Sequence, residues 1–103
     1  MFSLTAVSST TGGFKLAVRG SVSEDRLPEI EGYLDAGRRI SPAVMLDLSE
    51  VTLIDRTAAR FFAEQMQRGV QLLDCPSYLE QWILREVKDE REHQNQHRLE
   101  QSR

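Results

Sequence analysis

Two hydrophobic periods take turns along this chain. Phe2, Leu4 and Ala6 alternate with Ser3, Thr5 and Val7, and Phe14, Leu16 and Val18 alternate with Lys15, Ala17 and Arg19. A period of two marks strands with one buried face. The cluster SSTTGG at 8–13 supplies a turn, so the pair reads as an antiparallel hairpin. Gly20 to Val22 reads as a short loop. Leu27, Ile30 and Leu34 then recur at helical spacing, with Tyr33 broadening the stripe. Two caps fit this helix. Ser23 leaves Pro28 just past the first turn, whereas Asp25 places Pro28 inside it, where a missing N–H costs little. Gly37 is expected to close the helix, with Arg38 and Arg39 just beyond.

Ser41 and Pro42 break the pattern, and a near-continuous apolar run follows from Ala43 to Leu48, interrupted by Asp47. Such a run suits a central strand. Ser49 to Asp55 is expected to form a loop, with Val51, Leu53 and Ile54 tucked inward. Asp55 can cap the next helix, whose inward face carries Ala59, Phe62, Ala63 and Met66, with Ala58 beside them. Gly69 ends it, and Val70 to Leu73 form a short strand. Around Cys75-Pro76-Ser77 the last helix begins. Either Pro76 takes its first position or Ser77 caps it and pairs with Glu80 in a capping box. Leu79, Trp82, Ile83 and Val87 make its apolar stripe. Beyond them the charged tail KDEREHQNQHRLEQSR reads as a helical extension or as disorder.

The order is β-β-α-β-α-β-α. Strands that alternate with helices run parallel through right-handed crossovers. The expected fold is therefore α/β: a mixed four-stranded sheet with its helices mainly on one face. Residues 1–87 form the domain and 88–103 the tail. With 103 residues the chain has room for one core.

Charge narrows the function. A net charge of −3 and a pI near 5.4 leave no basic footprint for nucleic acid. No apolar run approaches the roughly 20 residues of a membrane helix, and the N-terminus lacks the layout of a signal peptide. The single cysteine cannot form an internal disulfide, which fits a reducing cytoplasm. G-x-S-x-G, P-loop, C-x-x-C and H-E-x-x-H signatures are all missing, so neither an enzyme nor a bound cofactor is expected.

The informative stretch is VMLDLSEVTLIDRTAARFF, residues 44–62, a strand followed by a helix start. Thr57 lies in the first turn of that helix. It can serve a backbone group there. Alternatively it can carry phosphate, which free N–H groups and the helix dipole favour, with Arg56 or Arg60 to pair with it. Arg56 opposes the dipole, which calls for an acidic partner, a salt bridge to Asp55 or Glu50, or simple solvation. Phe61 sits beside the inward face, as a partner contact or as core. Tyr78 and Trp82 read as a core edge, and Cys75 as structural. His93 and His97 have helical spacing but no third metal ligand. A ligand cleft at the strand ends would draw on Asp47, Asp55 and Cys75. Homo-oligomerisation would use Phe61, Trp82 or the tail.

The stretch 44–62 resembles the STAS domain family, which includes bacterial anti-sigma factor antagonists. Its members show a strand ending in LDL, a V-x-x-I-D segment, and a helix start of the form D-S-S-G. Here that start is Asp55-Arg56-Thr57-Ala58. GSVS at 20–23 is similar to the family's G-x-[LI]-D, with Ser23 where an acid commonly sits. The resemblance implies a non-enzymatic protein-interaction module. It places the phosphorylated hydroxyl at Thr57 and the partner surface around Ser23, Asp55, Arg56, Arg60 and Phe61. The implied partner is an anti-sigma factor kinase. A STAS subunit of a lipid-transport ABC complex is the related alternative.

Overall fold

The alternating segments pair as their pattern predicts. In a computed structural model, which describes residues 2–8 and 13–88, β1 (Phe2–Ser8) and β2 (Gly13–Val22) run antiparallel from Phe2↔Gly20 to Ser8↔Phe14. A 3-10 turn (Glu24–Arg26) leads into α1 (Leu27–Ile40). β3 (Ala43–Ile54), α2 (Arg56–Gln67) and β4 (Gln71–Leu73) follow, and residues 77–88 form the last helix, α3. β3 lies parallel to both β2 and β4, giving a mixed four-stranded sheet in the order β1-β2-β3-β4. Residues 9–12, where most of the expected turn over 8–13 falls, and the tail from residue 89 onward, with His93 and His97, lie outside the described residues.

The sheet order explains the single helical layer. Both crossovers step in the same direction across the sheet, and crossovers of one hand then place their helices on one face. Phe14, Leu16 and Val18 of β2 are buried there with Val44, Leu46 and Leu48 of β3, Ile30 and Leu34 of α1, Phe62 of α2, and Leu79 and Ile83 of α3.

Two expected strand ends move. β3 does not stop at Leu48, so residues 49–54 are strand rather than loop. β2 likewise runs through 20–22, and the two extensions pair with each other up to Val22↔Ile54. From Ala17 to Ser21 on β2 the partners on β3 run from Asp47 to Leu53, so β3 carries the extra residues of two bulges. Each bulge turns the period of two into three. Leu48, Val51 and Ile54 point inward, while Leu53 is 62% exposed rather than tucked in.

Gly37 does not end α1. The helix continues to Ile40, and a Cβ on Gly37 would lie 2.7 Å from Phe14 Cε1. The glycine lets the helix press on that ring. Pro28 falls at the helix start, where its missing N–H is harmless. At the last helix the boundary falls between the two readings. Ser77 is the first helical residue, and the Pro76 carbonyl accepts the Glu80 N–H at 2.9 Å. Gly69 ends α2 as expected. Its φ is +94°, its N–H reaches the Met66 carbonyl, and the Val70 N–H reaches that of Gln65, both at 3.0 Å. This is the paired closure of a Schellman end.

Candidate functional site at the start of α2

Asp55 joins three elements. Its backbone N–H donates to the Val22 carbonyl at 3.3 Å, closing the β2–β3 ladder. Its Oδ1 accepts the Ala58 N–H at 2.8 Å and caps α2. Its Oδ2 accepts the Glu24 N–H at 2.9 Å and so caps the turn into α1. The side-chain cap that the sequence offers to Ser23 or Asp25 thus comes from neither. Ser23 Oγ donates instead to Asp25 Oδ1, and that bond chiefly holds the Asp25 carboxyl below its usual range.

With Asp55 capping α2, the Thr57 hydroxyl is spare. Thr57 is exposed and makes no side-chain hydrogen bond among the described residues. The capping role open to it in the sequence belongs to Asp55 instead.

Arg56 does not pair with Asp55 or with Glu50. Glu50 is held by Arg19, and Arg56 Nε lies 3.4 Å from Glu86 Oε1 of α3. Arg60 Nε lies 3.6 Å from the other carboxylate oxygen. The Glu86 side chain is only 7% exposed, whereas the arginines are 66% and 55% exposed. One carboxylate on the inward face of α3 therefore faces two guanidiniums whose outer sides remain in solvent. A buried acid needs such partners. Its signal in the sequence was its position, one helical step beyond Ile83 and Leu79 on the apolar stripe.

Phe61 is core, not surface. It is 8% exposed and meets Phe62 edge-on at 5.7 Å, so it presents no side chain to a partner. Gln65, one turn on, is also buried and accepts a hydrogen bond from Arg38 of α1. α2 is thus covered on one flank by α1 and met on the other by α3, which widens its buried arc beyond the expected stripe. Thr57 and Glu64 lie in the exposed arc between those flanks.

Two apolar side chains expected to be buried at this end of the sheet are exposed instead: Leu53, turned outward by the bulges, and Tyr78, read as a core edge. The Tyr78 ring is 56% exposed and its hydroxyl donates to the Thr52 carbonyl at 2.9 Å. Trp82, by contrast, packs half-buried against the core, as its stripe predicts.

Of the residues proposed for a strand-end cleft, Asp47 and Asp55 are held apart, while Cys75 follows two residues after Leu73, the β4 partner of Asp47. Asp47 lies in mid-sheet between Ala17 and Leu73, roughly 20 Å of strand from Asp55. The Ser49 N–H donates to its carboxylate at 3.0 Å, the main reason its pKa is lowered. Burial pushes the Cys75 thiol up to about 11, with help from Glu80, which makes it a poor nucleophile. A polar depression of about 190 Å³, lined by Arg38, Ser41, Arg68 and Gly69, lies at the opposite end of β3. Because the strand order never reverses, the sheet also lacks the switch-point crevice where open α/β sheets bind ligands. No group of three or more metal-ligating side chains occurs among the described residues. No helix among them is long and apolar enough to cross a membrane.

Fold and site define an α/β domain whose hydroxyl-bearing helix start is held by a double-capping aspartate. Comparison with known protein families and with curated proteins finds no match for this chain.

Proposed function

We propose that this chain is a non-enzymatic, STAS-like interaction module of the bacterial cytoplasm. It binds a regulatory protein, of the anti-sigma factor kinase type, at the start of α2, and phosphorylation of Thr57 releases that partner. The observation that carries this reading is the idle Thr57 hydroxyl. It stands exposed in the first turn of α2 while Asp55 does the capping. Asp55, Arg56 and Arg60 belong to the same helix start, Ser23 precedes the turn that Asp55 caps, and Leu53 and Tyr78 are exposed apolar residues, Leu53 two positions before Asp55. A phosphate adds a charge of about −1.5 to −2, which disrupts a contact formed without it.

The test is capture of partners on immobilised full chain from host lysate, followed by mass spectrometry of the partners and of Thr57. Thr57→Ala retains the partner and Thr57→Glu loses it. Equal retention by both variants sinks the switch. Absence of any specific partner sinks the module.

A further inference from the structure

β1 forms one edge of the sheet, and its outer side meets no strand among the described residues. Proteins usually blunt such an edge with charge, proline, a bulge or brevity. The opposite edge, β4, is blunted by its length of three residues. β1 uses none of these devices. FSLTAVS is seven residues long, uncharged, free of proline, and paired with β2 without a register shift. The helical layer leaves it open as well. Ala6 and Ser8 are exposed although they share a face with Phe2 and Leu4, and Ser3, Thr5 and Val7 are exposed on the other face.

We propose that β1 pairs antiparallel with β1 of a second copy of this chain, about a two-fold axis at Thr5. The strand's own sequence selects a second copy as the occupant. In that register Leu4 lies opposite Ala6, Ser3 opposite Val7 and Phe2 opposite Ser8. Opposed residues of an antiparallel pair share a face, so Leu4 covers the exposed Ala6 of the other copy. No strand residue brings a charge to the seam, the Arg26 guanidinium lying over the Phe2 ring at 5.2 Å at its end, and the backbone groups of each edge are satisfied by the other. The axis stands perpendicular to the sheet, so the helices of both copies lie on one side of a continuous sheet. Phe2 pairs with Gly20, which pairs with Val51, so Phe2 marks the end of the sheet nearer α2. Antiparallel pairing then directs the two Thr57 surfaces to opposite ends and leaves both open. The pairing does not depend on what Thr57 does.

Sedimentation velocity of the full chain over a range of concentrations tests it. The wild type shows a concentration-dependent dimer. Thr5→Lys sets like charges directly opposite each other at a position exposed in the single copy. Circular dichroism therefore stays native while dimer dissociation is favoured by up to about fivefold. Thr5→Glu behaves likewise, and an equimolar mixture of the two variants regains the dimer. A wild type that stays monomeric throughout overturns the proposal. So does a dimer indifferent to both substitutions, or a mixture no tighter than either variant alone.

Discussion

At the residue scale, the start of α2 separates two neighbours that a sequence cannot separate. Asp55 and Thr57 are both small polar groups at a helix start, yet Asp55 carries two backbone N–H bonds and Thr57 carries none. Asp55→Ala is expected to lower stability by about 1–2 kcal/mol, the usual range for a lost cap with a second bond added. Thr57→Ala should stay within about 0.5 kcal/mol of wild type. Urea unfolding of the two variants checks both, and a larger loss for Thr57→Ala would contradict the capping assignment. Cys75 gives a chemical prediction. With its thiol near pKa 11 rather than 9.0, the thiolate fraction at pH 8 is about a hundredfold smaller and each thiolate several-fold more nucleophilic, so alkylation of the native protein should run about tenfold slower than after unfolding. Linkage has a definite sign here. The raised pKa favours the native state below pH 9, and this contribution is lost as pH climbs through 11. Asp47 acts in the opposite sense. Its lowered pKa supports the fold above the ordinary carboxylate range, and the support disappears as pH falls through the lowered value.

At the element scale, the two glycines of α1 have opposite roles. Gly37 lies under the Phe14 ring, so Gly37→Ala forces an overlap and should cost about 1–3 kcal/mol despite better helix propensity. Gly32 has no atom within 4 Å of an added Cβ, so Gly32→Ala should stabilise by up to about 1 kcal/mol. Thermal unfolding of the pair distinguishes packing from propensity, since propensity alone would stabilise both. α2 and α3 are joined by Glu86 between Arg56 and Arg60. Removing one arginine leaves Glu86 a partner, whereas removing both leaves a nearly buried carboxylate unpaired. Arg56→Ala and Arg60→Ala together should therefore destabilise by more than their sum, measured in a double-mutant cycle. These elements also show how far the sequence was legible. The alternation of Phe14, Leu16 and Val18 and the stripe of Leu79 and Ile83 locate their elements from local pattern alone. The strand over 49–54 was not legible, because its bulges break the alternation and its hydrogen bonds go to residues 19–22. Phe61 was ambiguous for a similar reason: neighbouring helices, not the spacing within α2, decide how wide its buried arc is.

At the scale of the whole molecule, strand order sets where the protein opens. β2 and β3 are central, with β3 flanked by strands on both sides and β2 sharing the antiparallel hairpin. Amides of Leu16, Val18, Leu46 and Leu48 should exchange with solvent most slowly, and those of the outer side of β1 fastest among the strands. Hydrogen exchange followed by mass spectrometry or NMR checks this order. Protection on that side of β1 that rises with protein concentration would report the edge pairing directly.

The hydrophobic periods by themselves determined the element order, the parallel core with its antiparallel hairpin, and the helix start that bears Thr57. These follow from local repeats, which any chain with the same pattern would share. Only the tertiary structure decided that residues 49–54 are strand, that Asp55 caps two helical turns, that Glu86 answers Arg56, and that Phe61 is core while Leu53 is not. Each of those depends on a partner distant in sequence. Hydrogen bonds and burial between distant segments are settled by how elements are brought together, and no local repeat encodes that.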